Sequence, residues 1–296
     1  MIDMRVIRFK SKSGERLGVW IENNIVDITE VKGKRFGSFL DLASEAESEE
    51  LGKFIEEMVA RNLNDLPRYS LEEVKLLKPI EPPEVWGCGV TYKRSEEERE
   101  KETGIKGIYR MVYSAKRPEI FFKATAHRCV GPDDEIGIRG DSEWNVPEPE
   151  LAFVLGPKRE IIGFTGGNDV SSRDIEGTNP LYLPQAKIFE ACCAIGPSIV
   201  TVDEVGSEPK LNIRCRIYRS GEVMFEGETN TGNMRRSLEE LRSYLCKYNP
   251  VPPGSVCLTG TGIVPPEDFT LKEGDLVEIE IEKIGILKNR VKLLKD

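Results

Sequence analysis

A chain of 296 residues, 39% hydrophobic and 31% charged, is long enough to bury a substantial core as one large domain or two unequal ones. Its formal net charge of −9 and pI near 5.1 argue against a broad nucleic-acid or anionic-membrane surface and leave small-molecule chemistry as the better fit. No apolar run approaches the roughly 20 residues of a spanning helix, and the opening MIDMRVIRFKSKSGE lacks a signal-peptide core, so a cytoplasmic protein is expected.

Residues 4–10 and 17–29 read as strands with a hairpin turn at Glu22-Asn23-Asn24. Leu51, Phe54, Ile55, Met58 and Val59 recur at helical spacing and predict an amphipathic helix over roughly 38–62, packed by one face on that small sheet. Pro79, Pro82 and Pro83 interrupt the chain. Residues 75–83 therefore read as a linker between a small N-terminal α/β domain, 1–78, and a larger catalytic domain, 79–296. The run Glu96 to Glu102 reads as a solvated helix face or a mobile lid. Beyond it, short β-type segments dominate: 119–124, 150–155, 160–165, 197–202, 210–218, 222–226, 255–259 and 276–282. One helix pattern, 235–247, puts Leu238, Leu241, Tyr244 and Leu245 on a stripe. The expected class is α+β, mainly β and largely antiparallel.

The seven cysteines show no C-x-x-C pair and an odd total, which is neither a disulfide framework nor a cysteine zinc site. The adjacent Cys192 and Cys193 read as small buried hydrophobes. Gln185 is the only glutamine, a composition that hints at a thermophilic source. The glycines of Gly87-Cys88-Gly89 complete no dinucleotide fingerprint, and there is no Walker sequence, so no nucleotide cofactor is inferred.

Chemistry concentrates in Pro147-Glu148-Pro149-Glu150-Leu151 and the later Gly167-Asn168-Asp169. If Pro149 keeps its segment extended, Glu148 and Glu150 point to one face, and the run 161–167 reads as a returning strand that delivers Asp169 beside them. Three clustered carboxylates repel unless a cation lies between them, and all-oxygen ligation favours Mg²⁺, Mn²⁺ or Ca²⁺ over Zn²⁺. The competing reading is an exposed acidic strand edge.

These segments resemble the fumarylacetoacetate hydrolase family. The resemblance rests on EPELAFVLG at 148–156, GNDVSSRD at 167–174, Lys187-Ile188-Phe189 and Thr259-Gly260-Thr261, in family order across most of residues 80–296. Longer blocks resemble a sugar-acid dehydratase branch of it: Pro83 to Gly87, Arg117 to Thr125, Asp141 to Trp144 and Asn179 to Gln185. The resemblance implies a mixed β-sandwich roll assembled as a homodimer or homotetramer. It implies a divalent ion, usually Mg²⁺, on Glu148, Glu150 and Asp169, and a small-molecule 2-keto acid as the substrate. Family hydrolases activate water with a histidine in Asn-Tyr-x-x-His; here Ser95 holds that position, and His127, the only histidine, lies outside the motif. His127 reads as a substrate contact or an ordinary strand-end residue.

A metal-assisted elimination needs no such histidine. In a 2-keto-3-deoxy sugar acid, polarisation of the keto group would acidify C3, and loss of the C4 hydroxyl followed by ketonisation would give 2,5-dioxopentanoate from a five-carbon acid. Lys187 and Glu119 are the candidates for proton transfer, in either order. A lysine beside a cation in a dry pocket gives up its proton more readily, and a carboxyl against Phe121 and Phe122 keeps its own. Glu143 either faces the cavity or supports the metal strand. Thr261 could hold the substrate carboxylate with the N–H groups of its glycine-rich turn, and Lys123 and Tyr92 are further substrate-contact candidates. Arg173-Asp174 reads as a structural ion pair behind Asp169, with a substrate clamp as the alternative. Carbon–carbon hydrolysis, decarboxylation or tautomerisation of acylpyruvate-like acids is the alternative activity, and a catalytically silent ligand-binding protein the alternative class.

Overall fold

The computed structural model describes residues 4–46, 50–93 and 108–295; Ser95 and the charge run at 96–102 lie outside them. Two sheets face each other. The larger runs, in spatial order, through Arg68–Tyr69, Asn24–Asp27, Gly14–Ile21, Met4–Ser11, Cys193–Thr201, Ile161–Asp169, Pro149–Leu155, Val256–Leu258, Val85–Gly89 and Glu119–Ala124. The smaller orders Glu135–Arg139, Gly285–Leu294, Leu276–Ile281, Asn212–Arg219 and Glu222–Asn230. Most pairs are antiparallel, with parallel ones at Val256–Leu258 on Val85–Gly89, Glu135–Arg139 on Gly285–Leu294 and Cys129–Val130 on Cys193–Thr201. The architecture is the mainly β sandwich expected.

Burial explains which segments sit at the centre. Every residue of Pro149–Leu155 and of Cys193–Thr201 is buried, as suits strands covered on both faces. Between them, Ile161–Asp169 carries Gly163, Gly166 and Gly167. A Cβ on Gly166 would lie 2.6 Å from the Gly196 carbonyl oxygen and one on Gly167 2.2 Å from Leu258, so the missing side chains let three strands and the facing layer close up.

Three expectations are corrected. The helix predicted over 38–62 is two helices, Phe39–Glu45 and Leu51–Asn62. Glu45 and Glu49 would set like charges four apart on a continuous helix. Each half has its own start: a capping box at Ser38 and Asp41 for the first, and for the second the carboxylate of Asp203, which accepts from the N–H groups of Gly52 and Lys53 at 3.0 and 3.1 Å. The second helix is therefore anchored beside Cys193–Thr201 as well as near the N-terminal strands. Within the expected linker, Lys75–Leu77 is a strand paired with Lys10, Phe9 and Arg8. Across that segment the sheet is continuous, since Val6 of Met4–Ser11 pairs with Ile199. Finally, Val85–Gly89, Glu135–Arg139 and Gly285–Leu294 are strands that the pattern did not mark. Among the described residues, no helix is long and apolar enough to cross a membrane.

Candidate metal and active centre

Pro149 opposite Asn168 and Glu150 opposite Gly167 set the register of the central hairpin, and the N–H of Asp169 donates to the Glu148 carbonyl at 3.0 Å. That register brings one carboxylate oxygen from each of Glu148, Glu150 and Asp169 within 4.8 Å of the others. All three side chains are buried, at 5%, 1% and 1% exposure, which rules out the exposed acidic edge.

Three cations enter the same cluster. Lys187 Nζ lies 2.9 Å from Glu148 Oε1, 2.9 Å from Asp169 Oδ2 and 2.6 Å from Ser171 Oγ. Lys123 Nζ lies 2.5 Å from Asp169 Oδ1 and donates to the carbonyls of Val170 and Lys187 at 2.8 and 2.6 Å. Arg173 Nη2 stands 3.2 Å from Glu148 Oε1, and its Nη1 3.5 Å from Glu176 Oε2.

The electrostatics divide the carboxylates. Burial, reinforced by the Asp169 and Glu148 charges, pushes Glu150 well above the usual carboxylate range against the pull of Lys187 and of the Gly260 N–H, which donates to Glu150 Oε2 at 2.5 Å. Burial works on Asp169 in the same direction, but Lys123 and Lys187 outweigh it and hold that carboxyl below its ordinary value. Lys123 is raised: burial opposes its charge, and Asp169 overcomes the penalty. The ion pair at Asp169 Oδ1 is close but poorly directed, for that buried oxygen has no hydrogen-bond partner. A buried all-carboxylate donor set with an unsatisfied oxygen fits a hard divalent cation.

Beside the cluster is a cavity of about 20 Å³ whose wall includes Glu119, Phe121, Glu148, Glu176, Lys187 and Thr261. That is room for about one water, since a water needs roughly 10–15 Å³ on this measure. Glu119 opens its strand opposite Gly89. A Cβ on Gly89 would lie 2.1 Å from Glu119 Oε2, so the glycine makes room for the carboxyl. The Phe121 ring centroid is 5.4 Å from Lys187 Nζ.

Other predicted residues fall differently. Thr261 reaches the cavity wall, but its Oγ1 is engaged by the Ile263 N–H at 3.1 Å, and the Gly260 N–H is aimed at Glu150. Lys123 lies behind Asp169, off the cavity lining. Tyr92 is buried at 2% exposure with its hydroxyl unpartnered; burial, then the Glu150 charge, raises its phenol above the ordinary value. Glu143 is exposed and off the described cavity lining, and its backbone N–H donates to Asp174 at 2.8 Å. His127 is exposed, its Nδ1 2.9 Å from Thr125 Oγ1. The Arg173-Asp174 pair is corrected: Arg173 turns inward to Glu148 and Glu176, while Asp174 accepts from Ser142 Oγ at 2.6 Å. Glu176 and Ser171 were missed, and Arg173 was given the wrong partner. The available signal was the i,i+3 spacing of Arg173 and Glu176, which puts both on one helix face.

Comparison with known proteins agrees with this geometry. The family model described as fumarylacetoacetate (FAA) hydrolase C-terminal matches residues 84–292. A 2-dehydro-3-deoxy-D-arabinonate dehydratase of Saccharolobus solfataricus is 50% identical over 231 residues, covering 77% of this chain and 78% of that protein. A probable 2-keto-3-deoxyxylonate dehydratase of Haloferax volcanii is 54% identical over 213 residues, 72% of this chain and 73% of that one. The solved structure of 2-keto-3-deoxy-D-arabinonate dehydratase complexed with magnesium and 2,5-dioxopentanoate matches with a TM-score of 0.78 and 39% identity, over 99% of this chain and 100% of the other. With the buried carboxylate cluster and the sheet order that builds it, these matches establish that the chain belongs to the fumarylacetoacetate hydrolase family.

Proposed function

We propose that the protein is a Mg²⁺-dependent hydro-lyase that converts 2-keto-3-deoxy-D-arabinonate, or a close 2-keto-3-deoxy sugar acid, to 2,5-dioxopentanoate and water. The observation that carries the reading is the meeting of Lys187 with Glu148 and Asp169 at 2.9 Å each beside a cavity that also holds Glu119. The relative solved with magnesium and 2,5-dioxopentanoate supports the same chemistry.

In this reading Glu148, Glu150 and Asp169 hold the metal. When bound, Mg²⁺ supplies Lewis-acid polarisation of the substrate's 2-keto group and neutralises the clustered carboxylates. Lys187 takes a proton from C3, and Glu119 protonates the C4 hydroxyl as it leaves. The Phe121 ring beside Lys187 limits water around both groups and so strengthens their interactions. Lys123 keeps Asp169 ionised and fixes the backbone of Lys187 from behind. Thr261 lines the substrate pocket, with the Tyr92 ring packed against Gly262 next to it, and Glu143 acts from outside, its backbone N–H holding Asp174 on the helix Arg173–Thr178. Residues 79–296 carry the catalytic machinery, and 1–78 form a smaller N-terminal part whose strands join the same sheet. The protein acts in the cytoplasm as a homodimer or homotetramer, and light scattering in solution should give two or four times the 33.3 kDa chain mass.

The test is an NMR time course with Mg²⁺ or EDTA, offering 2-keto-3-deoxy-D-arabinonate and an acylpyruvate separately. Metal-dependent appearance of 2,5-dioxopentanoate is expected. Cleavage of the acylpyruvate alone would replace the reading with carbon–carbon hydrolysis.

A further inference from the structure

Loss of a C3 proton and the C4 hydroxyl does not finish this reaction. It leaves 5-hydroxy-2-oxopent-3-enoate, whereas 2,5-dioxopentanoate carries an aldehyde at C5 and saturated carbons at C3 and C4. The isomerisation needs a second base, placed to take a proton from C5. Resting on the dehydratase reading above, we propose that Glu176 is that base and that it carries the C5 proton to C4.

Glu176 is 6% exposed and lines the cavity with Glu119 and Lys187. It sits on Arg173–Thr178, the short helix that follows the metal strand. Arg173 stands 3.5 Å from its carboxylate and 3.2 Å from Glu148. A guanidinium never gives up its charge in a protein, so Arg173 stands as a fixed counter-ion beside the carboxylate that is to accept the proton. The same cation spans Glu176 and Glu148, which fixes the base on the metal side of the cavity. Outside the three clustered carboxylates, the carboxylates that line the wall among the described residues are Glu119 and Glu176.

The proton balance closes over these groups. Glu176 removes a C5 proton, acidified by conjugation through C3 and C4 to the C2 carbonyl, and the electron pair moves onto the carbonyl oxygen as a dienolate. Lys187 returns to C3 the proton it took from that carbon. Glu176 delivers its proton to C4 of the resulting enol, and Glu119, deprotonated when water left, receives the proton of the C5 hydroxyl as the aldehyde forms. One water is lost and all three groups return to their starting state.

The experiment follows products by ¹H NMR for the Mg²⁺-loaded wild-type protein, Glu176→Gln and Glu176→Asp, with folding checked by near-UV circular dichroism. Wild type should release 2,5-dioxopentanoate. Glu176→Gln should instead release the enone, seen as olefinic protons, with 2,5-dioxopentanoate formation falling by about 100-fold or more, the lower end for loss of a general base. Glu176→Asp, which keeps a carboxylate for Arg173, should give a mixture, and it carries the test if the glutamine variant does not fold. Wild-type rates of 2,5-dioxopentanoate in both variants would overturn the assignment while leaving the dehydratase standing. Equal loss of enone and dialdehyde would also overturn it, making Glu176 a partner of Arg173 alone. A wild-type protein that leaves the sugar acid untouched removes the parent reading, and this step with it.

Discussion

Lys123 is fully buried, yet it is more than a satisfied core lysine: its ammonium faces Asp169 and the carbonyls of Val170 and Lys187. Breaking one side of a buried ion pair typically costs about 3–5 kcal/mol, because the remaining charge is left in a dry site. Lys123→Met should therefore lower unfolding stability by about that amount, read from the urea midpoint, and an unchanged midpoint would mean the pair is compensated elsewhere. Glu148→Gln removes a carboxylate that Lys187, Ser171 and Arg173 converge on. Calorimetric titration should show Mg²⁺ or Mn²⁺ binding weakened by at least the roughly 100-fold at the upper end for groups one step further from a metal. The three carboxylates were legible in the sequence because a proline between two glutamates fixes their alternation. Arg173 was misread because neighbours in sequence looked like an ion pair. On a helix adjacent side chains point apart and those three or four positions away meet, so Arg173 finds Glu176, while Asp174, pointing elsewhere, accepts from Ser142 of a distant segment.

At the level of elements, the turn Thr259-Gly260-Thr261 shows how backbone supports the site. Gly260 sits at φ 92, and a Cβ there would lie 2.0 Å from Thr91 Oγ1. Its N–H is the donor to Glu150. Gly260→Ala is expected to cost about 1–3 kcal/mol of stability through the disfavoured dihedral, and to weaken metal binding by displacing that donor; thermal unfolding with and without Mg²⁺ reports both. A variant with wild-type unfolding in both conditions would show that the turn relaxes freely. Antiparallel strands were readable where one face is wet, as in Asn212–Arg219 with its alternating burial. Val85–Gly89 was not: it is short, pairs in parallel with Val256–Leu258, and two of its five residues are glycine. Such a strand has neither the alternation nor the β-branched run that marks a segment in sequence. The helical period over 38–62 was genuine, but periodicity reports which face is apolar and does not tell one helix from two in phase.

For the whole molecule, proline punctuation suggested a division near residue 78, and the hydrogen bonding runs across it. Met4–Ser11 pairs on one side with Gly14–Ile21 and on the other with Cys193–Thr201, the immediate neighbour of the strand that ends in Asp169. Sequence could not reveal this, because pairing between residues so far apart leaves no local pattern. The continuity bears on any attempt to trim the protein to the part that holds its carboxylates. Severed at 78, the larger fragment would keep all of them but bare the stretch around Ile199, whose amide and carbonyl groups would face solvent along an apolar rim. Bare rims of this kind recruit other chains. The excised fragment should thus come out of the cell as insoluble aggregate, and supplying the missing 78 residues as a separate peptide should return it to solution.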